Sequence, residues 1–220
     1  TATVTLAERI GTVFSMGDVP DADATSGKNY YRSTILVNEG AVTVTNFRRW
    51  LGLLGTAQVS DVGQLGASGA GTIQTSGTFA DWPIRGWCDT KNGAFYRETV
   101  YYSERTDTIL TVPAWGRGRF SSTPSAGLAT DDISPVPGFA VAIDTAGVTA
   151  GGLAIQTIAD ENTPPAAVVW NIGVALATGL NIGTMNAGQQ VGVWYWREMP
   201  AGVVATTEGA AFLEDSFDIP

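Results

Sequence analysis

Glu98 is the acidic residue in the most unusual setting. It stands in an apolar run of strand character, Glu98-Thr99-Val100-Tyr101-Tyr102, and Arg117 and Arg119 follow further along the chain. A carboxylate in such a run is costly to bury unless its oxygens receive donors. The favoured reading is structural: Glu98 accepts N–H groups from a turn or pairs with Arg117 or Arg119. Arg117-Gly118-Arg119 then reads as a tight turn whose arginines staple neighbouring strands. The remaining acids say less. Asp18, Asp21 and Asp23 could offer oxygen ligands to Ca²⁺, but the run lacks the glycine and distal glutamate of an EF-hand loop. A solvated loop is expected there, and likewise at Asp131-Asp132 and Glu214-Asp215. With 21 Asp and Glu, pairs of carboxylates arise anywhere, so a glycosidase dyad cannot be singled out.

Other chemistries lack their residues. There is no histidine, so His-based triads are excluded along with the commonest general base and metal ligand. Cys88 is the only cysteine, which rules out an intrachain disulfide and a cysteine zinc site. No Gly-x-Ser-x-Gly elbow or Ser-x-x-Lys pair occurs. Gly116-Arg117-Gly118 is too short for a phosphate loop and lacks its Lys-Ser/Thr. The expectation is a non-enzymatic protein with no cofactor and no metal. Carboxylate-only catalysis stays open as an alternative.

The aromatic residues suggest binding instead. Seven tryptophans are many for 220 residues. In Trp194-Tyr195-Trp196 the two tryptophans would share one face of a strand and Tyr195 the other. One face is expected to be core and the other an interface. Trp87, Trp115, Trp194 and Trp196 are the interface candidates. A platform for stacking sugars is the weighed alternative.

The elements that would position these residues are strands. Short runs of Val, Thr, Ile, Tyr and Trp alternate with Gly, Asp, Asn and Pro. Residues 31–37 and 41–45 read as a hairpin around Asn38-Glu39-Gly40. Phe47, Trp50, Leu51 and Leu54 also fit helical spacing, but Gly52 and Gly55 would end such a helix quickly. A strand continuing the hairpin is preferred. Residues 55–78 are small, polar and glycine-rich, as in a connector. Further strands are expected at 97–102, 108–112, 139–143, 153–158, 168–170 and 190–197, with a polar turn at 103–107.

Composition agrees. Apolar residues make up 44%, enough for a real core, whereas charged residues at 15% are far too few for a coiled coil. The net charge of −9 repels phosphate, so no nucleic-acid partner is expected. No run of 18 apolar residues occurs, so no membrane helix is expected. No signal peptide is visible at the N-terminus. Thr1 fits either removal of an initiator methionine or upstream cleavage.

One combination of motifs resembles a known family. Trp82-Pro83-x-x-Gly86, Arg97-Glu98-x-Val100-x-Tyr102, Leu110-x-Val112, Arg117-Gly118 and the loop 125–132 together resemble a small β module of tailed-bacteriophage virion structural proteins. Residues 31–51 resemble their opening hairpin. Residues 156–164, 178–183, 187–194 and 200–202 resemble their closing half, so the likeness spans most of residues 30–204. The resemblance implies a virion protein without enzymatic activity. Its partners would be other virion proteins, the major capsid protein or tail proteins, and further copies of itself, a trimer suiting capsid three-fold points. The fold expected is all-β: an antiparallel immunoglobulin-like sandwich from residues 1–68 and 138–220, with residues 69–137 inserted as a small β-barrel-like domain. A capsid decoration or cement role is favoured. A tail, neck or baseplate component that binds carbohydrate is the alternative.

Overall fold

The computed structural model describes residues 6–9, 26–51, 58–59, 65–92, 95–127, 130–136, 138–172, 179–199, 201 and 213–218. The protein is all-β, and every strand pair among these residues is antiparallel. In chain order the strands are β1 (Leu6–Arg9), β2 (Lys28–Asn38), β3 (Val44–Leu51), β4 (Gln58–Val59), β5 (Gly71–Gln74), β6 (Gly86–Asn92) and β7 (Phe95–Tyr102). They continue with β8 (Glu104–Arg105), β9 (Ile109–Val112), β10 (Asp132–Val136), β11 (Phe139–Thr149), β12 (Leu180–Met185), β13 (Gln190–Met199) and β14 (Leu213–Asp218). One short 3₁₀ turn spans Ala114–Gly116.

Pairing divides the strands into two groups. Two sheets, ordered β1-β2-β13-β11 and β12-β3-β14, draw on both ends of the chain. Two more, β4-β10-β6-β7 and β5-β9-β8, draw only on the middle. The short strand β4 lies before residue 68, yet it pairs with β10 of the middle group. One core unites both terminal sheets: Leu36, Val191, Val193 and Tyr195 from the first pack with Val44, Phe47, Ile182 and Met185 from the second. A second core belongs to the middle sheets, with Cys88, Val100, Tyr102 and Ile133 against Ile73, Leu110 and Val112. Phe79 and Trp82 seal it, their rings edge to face at 4.8 Å.

Strand β13 lies between two partners, and the run from Val191 to Trp196 is buried on both faces. Its alternation therefore separates two cores rather than core from surface. Val191, Val193 and Tyr195 enter the inter-sheet core. Trp194 and Trp196 enter a third cluster with Tyr31, Ala140 and Ala142. The segment 150–172 covers that cluster with Ile155, Ile158, Val168 and Trp170.

Three sequence expectations are corrected. Residues 31–45 do not form a hairpin: β2 pairs with β1 and β13, whereas β3 pairs with β12 and β14. The turn between them is an arch that carries the chain from one sheet to the other. Asn38 builds it from a fully buried position, donating through Nδ2 to the carbonyls of Val42 and Met185, both at 2.9 Å. Its Oδ1 accepts the Gly40 N–H at 3.1 Å. Residues 153–158 and 168–170 are irregular rather than strands. Gly151 and Gly152 turn the backbone into positive φ at their start, and the Gln156 N–H is taken by the Asp144 carboxylate instead of a ladder. Its backbone pairing with β11 is a single isolated bridge, Val141 with Asn171. Third, the polar segment 103–107 is not all turn, because Glu104 and Arg105 pair with β9. Residues 44–51, where helical spacing competed, are strand, because β3 fills the middle of a three-stranded sheet.

Candidate functional site

Glu98 and Arg117 form the most heavily bonded polar centre in the described structure. Strand β7 carries Glu98 with its side chain turned toward the middle-group core, beside Cys88 and Val100. Arg117 follows the 3₁₀ turn. Their side chains are 0% and 2% exposed. Glu98 Oε1 accepts from Arg117 Nε at 2.9 Å and from the Gly118 N–H at 2.7 Å. Oε2 accepts from Arg117 Nη2 at 2.7 Å and from the Ser125 N–H at 3.0 Å. Nη1 donates to the Gly69 carbonyl, and the second N–H of Nη2 is shared between the carbonyls of Gly66 and Ser125. With both partners so fully bonded, the pair is a structural staple holding the loops 66–69 and 117–125 to β7. Gly118 sits at φ +63° with the Ser122 carbonyl where a side chain would begin, so glycine is required there.

Arg119 points the other way. Its Nε donates to the Arg117 carbonyl, and its Nη1 lies 3.4 Å from Glu198 Oε1 on β13. The Phe120 N–H donates to Glu198 Oε2, and the Phe120 ring meets Trp196 edge-on at 5.0 Å. Burial raises the Glu198 carboxyl above its ordinary range, opposed by the Phe120 N–H and Arg119.

The four tryptophans separate. Trp194 and Trp196 are 2% and 6% exposed. Burial in the chain's own core removes them from any surface a partner could reach, and this corrects their placement as interface residues. Their indole N–H groups are used internally: Trp194 donates to Asp144 Oδ2 at 2.7 Å and Trp196 to Asn29 Oδ1 at 2.9 Å. Trp87 and Trp115 are half-buried and flank Tyr101, Trp87 edge-on at 5.0 Å and Trp115 stacked at 5.1 Å. The Trp87 ring lies against Gly138, so closely that a Cβ there would stand 2.6 Å from it. The Trp87 Nε1 is buried with no hydrogen-bond partner among the described residues.

The acids expected in solvated loops fall differently. Asp18, Asp21 and Asp23 lie outside the described residues. Asp131 is buried and accepts from Asn92 Nδ2 at 3.4 Å, while Asp132 opens β10 and is exposed. Glu214 and Asp215 belong to strand β14 rather than a loop. Two acids without a sequence signal carry structural weight. Asp144 accepts from the Ala146 N–H, the Gln156 N–H and Trp194. Its desolvation raises the carboxyl, but these donors outweigh it and hold the group below its ordinary value. Asp89 is buried beside Thr99, whose Oγ1 donates to it at 2.7 Å. Burial pushes it up to about 6, against Thr99 and Lys91. Neither stands out in the sequence, because no motif marks Asp89 for Thr99 across the β6–β7 pair, or Asp144 for Gln156 and for Trp194 on β13.

Among the described residues, no group of three or more His, Cys, Asp or Glu is placed to hold a metal ion. No helix among them is long and apolar enough to cross a membrane. The Cys88 thiol is pushed well up, by burial first and then by the charges of Asp89 and Glu98, which opposes thiolate chemistry. No protein-family model matches the chain, and no curated protein or solved structure matches it either. The fold is all-β, and its most buried charge pair, Glu98 with Arg117, is bonded within the chain.

Proposed function

We propose that the protein is a non-enzymatic structural component of a tailed-phage virion, acting by assembly on the particle. One observation carries the reading: the strands of the middle segment pair among themselves, nested inside sheets built from both chain ends. That nesting supports, as the finer part of the proposal, an immunoglobulin-like sandwich (residues 1–68 and 138–220) with a small barrel-like module (69–137) inserted, with β4 at Gln58–Val59 joining the module across that boundary. The staple at Glu98 and Arg117 falls on the Arg-Glu and Arg-Gly motifs of that module. Symmetric copies and other virion proteins are the partners, a trimer suits a decoration role, and net charge of −9 keeps free subunits apart before assembly. Trp115 and Trp87 are the remaining aromatic contact candidates.

The test is copy number per particle, by quantitative mass spectrometry on purified particles and on tail-free heads. Hundreds of copies retained on heads identify a decoration or cement protein. A few to some dozens, lost with the tail, identify a neck, tail or baseplate component. Absence from particles overturns the reading. The Trp87–Tyr101–Trp115 stack favours a second reading, a sugar-binding tail component. Glycan-dependent changes in tryptophan fluorescence, lost in Trp115→Ala, would support it.

A further inference from the structure

The turn 117–122 is gripped from two sides by two glutamates of unlike character. On one side Glu98 accepts four hydrogen bonds and holds the turn to the middle strand group. Thr99 adds to this hold: its carbonyl accepts the Arg119 N–H at 2.9 Å, and its N–H donates to Ser122 Oγ at 3.0 Å. On the other side Glu198, from the terminal group, accepts the Phe120 N–H and faces Arg119 at 3.4 Å. The Arg119 and Glu198 side chains are 22% and 15% exposed, so water reaches this contact and not the first. Phe120 and Ser121 both sit at positive φ, +50° and +60°, a region that disfavours residues with a Cβ. In this geometry the Phe120 N–H donates to Glu198 and its ring meets Trp196.

We propose that this turn is a clasp with one permanent and one releasable jaw. It sets the mutual orientation of the two strand groups through Glu198, and freeing Glu198 lets them reorient while each keeps its own core. The permanent jaw is Glu98 with Arg117, buried and saturated. The releasable jaw is Glu198 with Arg119 and Phe120, partly wet and bearing strained backbone. The turn therefore travels with the middle group when the clasp opens. This goes beyond the assembly reading and does not depend on it.

The experiment is a distance measurement between spin labels on Ser76→Cys in the middle group and Thr184→Cys in the terminal group. Both positions are exposed, and the native Cys88 is buried away from the label. The otherwise native protein should show one narrow distance distribution. Glu198→Ala should broaden or displace it, while amide hydrogen exchange stays slow in β6, β7, β11 and β13. An unchanged distribution in Glu198→Ala would overturn the proposal. So would loss of exchange protection in both cores together, because the contact would then belong to one common core. Arg119→Ala leaves the carboxylate its backbone donor and is the second variant. Partial broadening is expected, and the native width would count against the clasp.

Discussion

Glu98 has no spare bonding capacity, and that sets what its replacement does. Changing Glu98 or Arg117 to alanine strands the other charge in a dry site, at a cost of about 3–5 kcal/mol. Urea unfolding of each single variant and of the double variant should show strong coupling, with the double costing less than the sum. Asp89 makes a different prediction. Its carboxyl releases the proton near the ordinary 3.8 when unfolded and at about 6 when folded. Between those values the folded form binds more protons, so stability is highest below the window and falls as pH rises through it. The loss is about 3 kcal/mol, and Asp89→Asn should flatten it in urea midpoints compared at about pH 4 and pH 7. The setting of Glu98 was legible from the sequence because an acid within an apolar strand must find local donors, and a nearby Arg-Gly-Arg turn supplies them. Asp89 was not legible, because its burial depends on which sheet face is covered.

At the scale of elements, the arch between β2 and β3 rests on Asn38. Asn38→Ala removes the donor shared by the Val42 and Met185 carbonyls. The buried Met185 carbonyl left unpaired costs about 1–3 kcal/mol and the half-buried Val42 carbonyl less, which should appear as a lower melting temperature with the strands otherwise intact. The segment 150–172 offers the opposite test. Ala167 is exposed at φ +56°, a conformation glycine adopts freely. Ala167→Gly should raise stability by up to about 1 kcal/mol in thermal unfolding. Both strands flanking the arch were legible from Val, Thr and Ile periodicity. The arch itself was not, because a polar turn between two strands looks alike whether they pair with each other or enter different sheets. The irregularity of 153–158 was also hidden, since its apolar side chains, which read as a strand, instead cover Trp194 and Trp196.

For the whole molecule, two tryptophan substitutions should separate folding from assembly. Trp196→Ala opens a cavity in the cluster above the first sheet and should cost about 3–5 kcal/mol, seen as a large drop in urea midpoint. On the assembly reading proposed above, Trp115→Ala should weaken self-association far more than it lowers that midpoint, seen in sedimentation as a smaller mass at equal concentration. By itself the sequence determined the all-β class, since short β-branched and aromatic runs broken by Gly, Asn and Pro leave no helix-length stretch. Its missing histidines and lone cysteine also determined which catalytic chemistries had no residues. Only the tertiary structure decided which aromatics face solvent. Burial on both sides of β13 depends on a second sheet below and an irregular segment above, and strand alternation encodes neither. Tertiary structure alone also brought Glu198 to Phe120, because a contact between remote segments leaves no local pattern in the chain.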